Sequence, residues 1–180
     1  MEGNTIYTVT ENGESRNYLA VDGCSLESVG KLLHRMETIR ANLPKGSRLS
    51  VLEAMNKRYD FFPLKSRNVL LHPLREDEAA EAVSKIEAAA SKDMHVKIDF
   101  DADRLAFLYE HDGEVHELTA PAAAFTEAYS GSLRKKNASQ TYVNYKHFEG
   151  QLEKICEGRC LSSPSEQAGQ DETQAPKMSL

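Results

Sequence analysis

Residues 95–118, HVKIDFDADRLAFLYEHDGEVHEL, decide the fold class. Val96, Ile98 and Phe100 alternate with His95, Lys97 and Asp99, the period of two that a half-buried strand requires. Two further strand-like runs follow at 104–109 and 114–118. Asp112-Gly113 between them permits the positive φ angles of a two-residue hairpin turn, so the stretch reads as a three-stranded meander.

Upstream the same pattern recurs. The β-prone runs 6–9 and 18–21 flank Glu11-Asn12-Gly13-Glu14, which predicts a β-hairpin. Ser25 can cap a helix over 25–42, where Leu26, Val29, Leu32, Leu33, Met36 and Ile39 recur at steps of three and four. Asn42-Leu43-Pro44-Lys45-Gly46 ends that helix. Ser50-Val51-Leu52-Glu53 fits a capping box for a short helix over 51–60, and 68–72 is an apolar run that suits a buried strand. Residues 75–92 should be helical, with Glu76, Asp77 and Glu78 at the positive end of the helix dipole.

Downstream of the meander, Pro121 opens a helix that Gly131 closes, and a last helix is expected over 140–158. From Leu161 onward the chain is rich in Ser, Gln, Pro and Glu. It cannot offset its ordering entropy by burial, so a disordered tail is expected. The expected fold class is α+β: two β-hairpin or meander units with about five helices packed against them. One compact domain over 1–160 is expected, alternatively subdomains 1–72 and 73–160, followed by the tail 161–180. Tyr7–Leu33 and Phe107–Tyr129 each join an Xaa-Gly hairpin to a helix, a loose likeness of the two halves without residue-level identity.

At 180 residues, 40% apolar and 28% charged, the composition is that of a globular protein and not a disordered one. No apolar run approaches the ~18–20 residues a membrane-spanning helix needs. The acidic, polar start Met1-Glu2-Gly3-Asn4 reads as a chain without a signal peptide. Cys24, Cys156 and Cys160 are too few to imply a disulfide framework, so a reducing cytoplasm is the expected setting.

Charge is segregated along the chain. Residues 25–72 carry nine basic groups against four acidic, and 73–133 carry fourteen acidic against five basic. Net charge runs −3, +5, −9 and +1 over 1–24, 25–72, 73–133 and 134–180, within a total of −6. Such blocks bias which partners approach. Asp99, Asp101, Asp103 and Glu110 are the candidate acidic contact residues, suited to a basic groove that ordinarily holds nucleic acid. Two basic stretches carry aromatic residues, as phosphate contact with base stacking would need. One holds Lys57, Arg58, Lys65 and Arg67 with Tyr59, Phe61 and Phe62; the other holds Arg134, Lys135, Lys136 and Lys146 with Tyr142 and Tyr145.

Four metal or catalytic patterns are weaker. Asp99, Asp101, Asp103 and Glu110 match positions 1, 3, 5 and 12 of a calcium loop, but Arg104 stands where its turn needs Gly. Cys156 and Cys160 with His147 suggest zinc, yet the second ligand pair is missing. His95, His111 and His116 could converge on a metal or serve as acid and base, with nothing in the sequence fixing their geometry. Ser28-Val-Gly-Lys31 and Ser132-Leu-Arg-Lys135 fit a Ser-x-x-Lys pattern without its companion motifs. A P-loop, a dinucleotide Gly fingerprint, a Gly-x-Ser-x-Gly elbow and a His-Glu-x-x-His pair are absent from the sequence. No metal or cofactor is therefore expected.

In size and charge balance the chain resembles inhibitors encoded by phages and mobile elements, such as anti-CRISPR and anti-restriction proteins. The likeness rests on no motif. It implies a small non-enzymatic interaction protein, an inhibitor or regulator of a nucleic-acid-handling enzyme or ribonucleoprotein. The alternatives are a direct nucleic-acid-binding module and, third, a small metal- or histidine-dependent enzyme. The membrane is not an expected partner.

Overall fold

The computed structural model describes residues 3–21, 24–41, 47–53 and 71–161. β1 (Thr5–Glu11) and β2 (Glu14–Ala20) form the first hairpin, in register from Thr5 opposite Ala20 to Glu11 opposite Glu14. Asn12 and Gly13 both take positive φ, 54° and 77°, giving the turn whose twist matches the strands it joins. α1 (Leu26–Ala41) starts at Ser25, whose hydroxyl accepts the Ser28 N–H at 3.0 Å. α2 is described over residues 48–53 and begins earlier than the expected 51; the remainder of the helix expected to 60 lies outside the described residues. Its cap is Ser47, which accepts the Ser50 N–H at 3.1 Å, and not Ser50.

β3 (Leu71–Leu74) and α3 (Glu76–Glu87) follow. The meander is β4 (Met94–Asp99), β5 (Arg104–His111) and β6 (Glu114–Ala120), and the Asp112-Gly113 turn repeats the first at φ 53° and 78°. Then come α4 (Ala122–Ser130), β7 (Leu133–Asn137), β8 (Gln140–Val143), α5 (Tyr145–Ile155) and β9 (Glu157–Cys160).

Seven strands form one sheet in the order β3-β2-β1-β4-β5-β6-β9, with β7 and β8 a separate two-stranded ribbon. All neighbours in the large sheet are antiparallel except β1 and β4, which pair in parallel from Thr5 opposite Met94 to Thr10 opposite Asp99. That pair joins the stretches 1–72 and 73–160 into one sheet. The likeness of the halves extends to topology. In β1-β2-α1-β3 and in β5-β6-α4-β9, a hairpin leads to a helix, and a later strand pairs antiparallel with the hairpin's second strand. A half-turn about the sheet normal through β4 relates the two sets of strands.

Alternation divides the side chains between two faces. Tyr7, Val9, Val96, Ile98, Leu105, Phe107 and Leu118 join the larger core with α1, α2, α4 and α5. The aromatic rings there form a continuous series: Phe107 meets Phe125 at 5.4 Å between centroids, Phe125 meets Phe148 at 5.9 Å, and Phe148 meets Tyr129 at 5.6 Å. Gly30 of α1 lies against Tyr129 so closely that a Cβ there would sit 2.5 Å from the ring, which explains a glycine inside a helix. On the opposite face, among the described residues, α3 is the helix that covers the sheet, with Ala79 and Ile86 over Ile6, Leu108 and Val115.

Two sequence expectations need correction, and a third is described only in part. The helix expected over 75–92 stops at Glu87, where Ala89 turns to φ 56°. Of the strand expected over 68–72, residues 68–70 lie outside the described residues and Leu71 and His72 are strand; β3 continues through Pro73, which fits because β3 is an edge strand among the described residues. The helix expected over 140–158 is three elements. The Asn137 side chain accepts the N–H groups of Ser139 and Gln140, which turns β7 back into β8. Asn144 then caps α5 by accepting the His147 N–H at 3.2 Å. At the other end Cys156 is extended (φ −93°, ψ 143°), and the following residues find hydrogen-bond partners on β6. Residues 162–180, expected as a tail, lie outside the described residues. Among the described residues no helix is long and apolar enough to cross a membrane.

Candidate functional site

The ribbon β7–β8 carries the second basic stretch. Leu133 and Val143, directly opposite each other, pack on the larger core and anchor it. Ser132 is fully buried beneath it. Its hydroxyl donates to the Ala128 carbonyl at 2.7 Å and so accepts from His147 Nδ1 at 2.9 Å. The Asn144 N–H donates to the Ser132 carbonyl at 2.7 Å, which closes the base of the ribbon.

Beyond that base the ribbon is exposed from Lys135 to Tyr142. Arg134 stands opposite Tyr142 and is steadied by its own bonds to the Gly131 and Leu133 carbonyls, at 2.7 and 2.9 Å. Tyr142 and Tyr145 are each more than half exposed, at 52% and 55%. The Tyr145 hydroxyl donates to Glu27 of α1 at 2.6 Å, which fixes the first turn of α5 and pushes the phenol pKa up. Lys146 is exposed in the same turn. Among the described residues, Arg134, Lys135, Lys136 and Lys146 enter no ion pair. Lys57, Arg58, Lys65 and Arg67 lie outside the described residues.

The four acidic candidates are placed at two ends of the sheet. Asp99, Asp101 and Asp103 lie together at the β4–β5 turn, and each holds backbone. Asp99 accepts the N–H groups of Asp101 and Ala102, both at 3.0 Å. Asp101 accepts those of Asn12 and Gly13, at 2.7 and 2.9 Å, which clasps the two turns together and lowers the carboxyl pKa. Asp103 accepts the Ala123 N–H at 2.8 Å and so serves as the cap that Pro121 cannot supply to α4. Glu110 lies at the far end of β5, roughly 20 Å along the strand. There it binds Lys92 at 2.7 Å and accepts the Gly113 N–H at 3.0 Å, both of which lower its pKa. Strands flank the aspartates, and the twelfth position of the calcium pattern is carried away from the first three.

The histidines divide by strand parity. His95 is buried on the face that α3 covers, its Nε2 2.9 Å from the Thr8 hydroxyl. His116 points to the other face, stacked on Tyr109, with His111 at 6.2 Å between ring centroids. Cys156 is buried in the larger core, which pushes its thiol pKa up to about 11, while Cys160 lies on β9 opposite His116. Cys156, Cys160 and His147 are therefore not brought together. The set that does meet is Glu114, His116 and Cys160, a combination drawn from two of the sequence patterns.

Of the nine cations of 25–72, Lys45, Lys57, Arg58, Lys65 and Arg67 lie outside the described residues; Arg40 pairs with Glu37, and Arg48 with Glu11 and Glu37. Comparison with protein-family models, with curated proteins and with solved structures finds no match.

Proposed function

We propose that the chain is a non-enzymatic interaction protein of the cytoplasm, an inhibitor or regulator of a nucleic-acid-handling enzyme or ribonucleoprotein, as mobile elements encode. The contact is made by Arg134, Lys135, Lys136 and Lys146 with Tyr142 and Tyr145. The observation that supports this reading is the β7–β8 ribbon: a firmly anchored base, exposed rings, and cations with no carboxylate partner among the described residues. Arg16, Arg75 and Lys92 are paired, whereas Lys31, Lys97, Arg104 and Lys154, scattered over other elements, enter no ion pair among the described residues; the ribbon differs in clustering its cations beside exposed rings. Exposed aromatic rings beside arginine are what interface centres are rich in. The aspartates at the β4–β5 turn add a negative surface at a separate place, so a partner displaying both signs of charge suits the molecule.

The same ribbon supports direct binding to nucleic acid as a second reading, against which stands the net charge of −6. Affinity capture with and without nuclease, repeated with Lys135→Glu/Lys136→Glu, separates the two. A nuclease-resistant protein partner that the double variant loses supports the first reading. Direct binding of bare RNA or duplex DNA, weakening steeply with salt, moves the assignment to the second. Capture that ignores the double substitution overturns both.

A further inference from the structure

Away from the ribbon, three donor side chains of different chemistry meet on one face of the sheet at its β9 edge. His116 and Cys160 are directly opposite each other on β6 and β9, and Glu114 precedes His116 by two residues, which returns it to the same face. The Cys160 thiol lies 3.4 Å from Glu114 Oε2, and His116 Nε2 lies 3.8 Å from that same oxygen. All three ligand atoms fall within 4.8 Å of one another. We propose that Glu114, His116 and Cys160 form a zinc site, with the fourth position taken by water or by His111, which stands opposite Glu114 on β5.

The chemistry and the geometry agree. Calcium and magnesium take oxygen ligands, whereas zinc takes thiolate sulfur, imidazole nitrogen and carboxylate oxygen. Tetrahedral bonds of about 2.0–2.3 Å place neighbouring ligand atoms about 3.3–3.7 Å apart. Both measured separations to the Glu114 oxygen are already near that range, so small side-chain rotations complete the site. The backbone does not need to move, because strand pairing holds all three positions. On binding, the thiol proton that now faces Glu114 leaves to solvent, and the thiolate donates to the metal. The metal then ties β9, an edge strand of four residues, to the body of the sheet.

The test is titration of the chelator-treated full chain with zinc alone, and with cobalt(II) as a spectroscopic stand-in. One metal per chain is expected, with the thiolate-to-cobalt charge-transfer band and the visible bands of tetrahedral cobalt. Cys160→Ser and His116→Gln should each weaken binding by at least about 100-fold, the upper end of what loss of a mere outer-shell partner costs. Zinc should raise the melting temperature of the wild type and not that of Cys160→Ser. Circular dichroism establishes that both variants fold, as expected for one substitution on the β9 edge strand and one at a partly exposed position of β6. Absence of zinc binding, a cobalt spectrum without thiolate character, or binding that survives both substitutions would overturn the site.

Discussion

His95 is the side chain whose environment makes the sharpest demand. The Thr8 hydroxyl donates to Asn17 Oδ1 at 2.7 Å, so its oxygen accepts from His95 Nε2–H, and Nδ1 is buried without a hydrogen-bond partner among the described residues. Burial first, and the charge of Lys97 second, lower the pKa from 6.5 to about 4. Between these values the unfolded chain binds a proton that the native ring refuses. Stability is therefore complete above pH 6.5 and falls as the pH drops toward 4, by up to about 3 kcal/mol. Urea midpoints measured across that window should slope for the wild type and flatten for His95→Gln; an equal slope in the variant would refute the assignment. Some of this placement was legible in the sequence. A two-residue turn at Asp112-Gly113 sets the register, which puts His111 opposite Glu114 and Tyr109 opposite His116. Cys160 was not legible, because its place depends on β9, which reads as the end of a helix.

Among the elements, the two glycine-bearing hairpins and α1 could be read directly, since turn chemistry and a strong apolar stripe agree with the tertiary outcome. The β7–β8 ribbon could not. Its nine strand residues lack alternation, and it forms because Leu133 and Val143 find the core and Asn137 and Asn144 satisfy the turn and the helix start. Its tip contributes little to folding, so Lys135→Glu/Lys136→Glu should leave the urea midpoint within about 0.5 kcal/mol of wild type while abolishing partner capture. Helix contacts behave oppositely. Gly30→Ala improves helix propensity yet drives a methyl group into Tyr129, so a net loss of about 1–3 kcal/mol is expected in urea unfolding. Glu11 gives a third case. At the end of β1 its carboxylate accepts the Arg48 and Leu49 N–H groups at 2.8 and 3.3 Å and pairs with the Arg48 guanidinium, which also stacks 4.4 Å above Phe100. Glu11→Ala should cost about 1–3 kcal/mol in urea unfolding, since it leaves two helix N–H groups without their acceptor while Arg48 keeps its pair with Glu37 at 3.0 Å.

For the whole molecule, the ring series from Phe107 on the sheet through Phe125 to Phe148 and Tyr129 ties β5, α4 and α5 into one core. Phe125→Ala should remove about 3–5 kcal/mol, read as a lowered urea midpoint with one cooperative transition. The α+β class was visible from periodicity alone, but the joining of the halves was not, because no local signal announces that β1 pairs with β4. That parallel pair has a consequence in time. The first hairpin leaves the ribosome with the β1 rim exposed, and its neighbour Met94–Asp99 is not synthesised until some eighty residues later. At a translation speed of about 5–20 residues per second, the nascent chain presents a bare backbone flank for roughly 4–16 seconds, long enough for chaperones or a second nascent chain to reach it first.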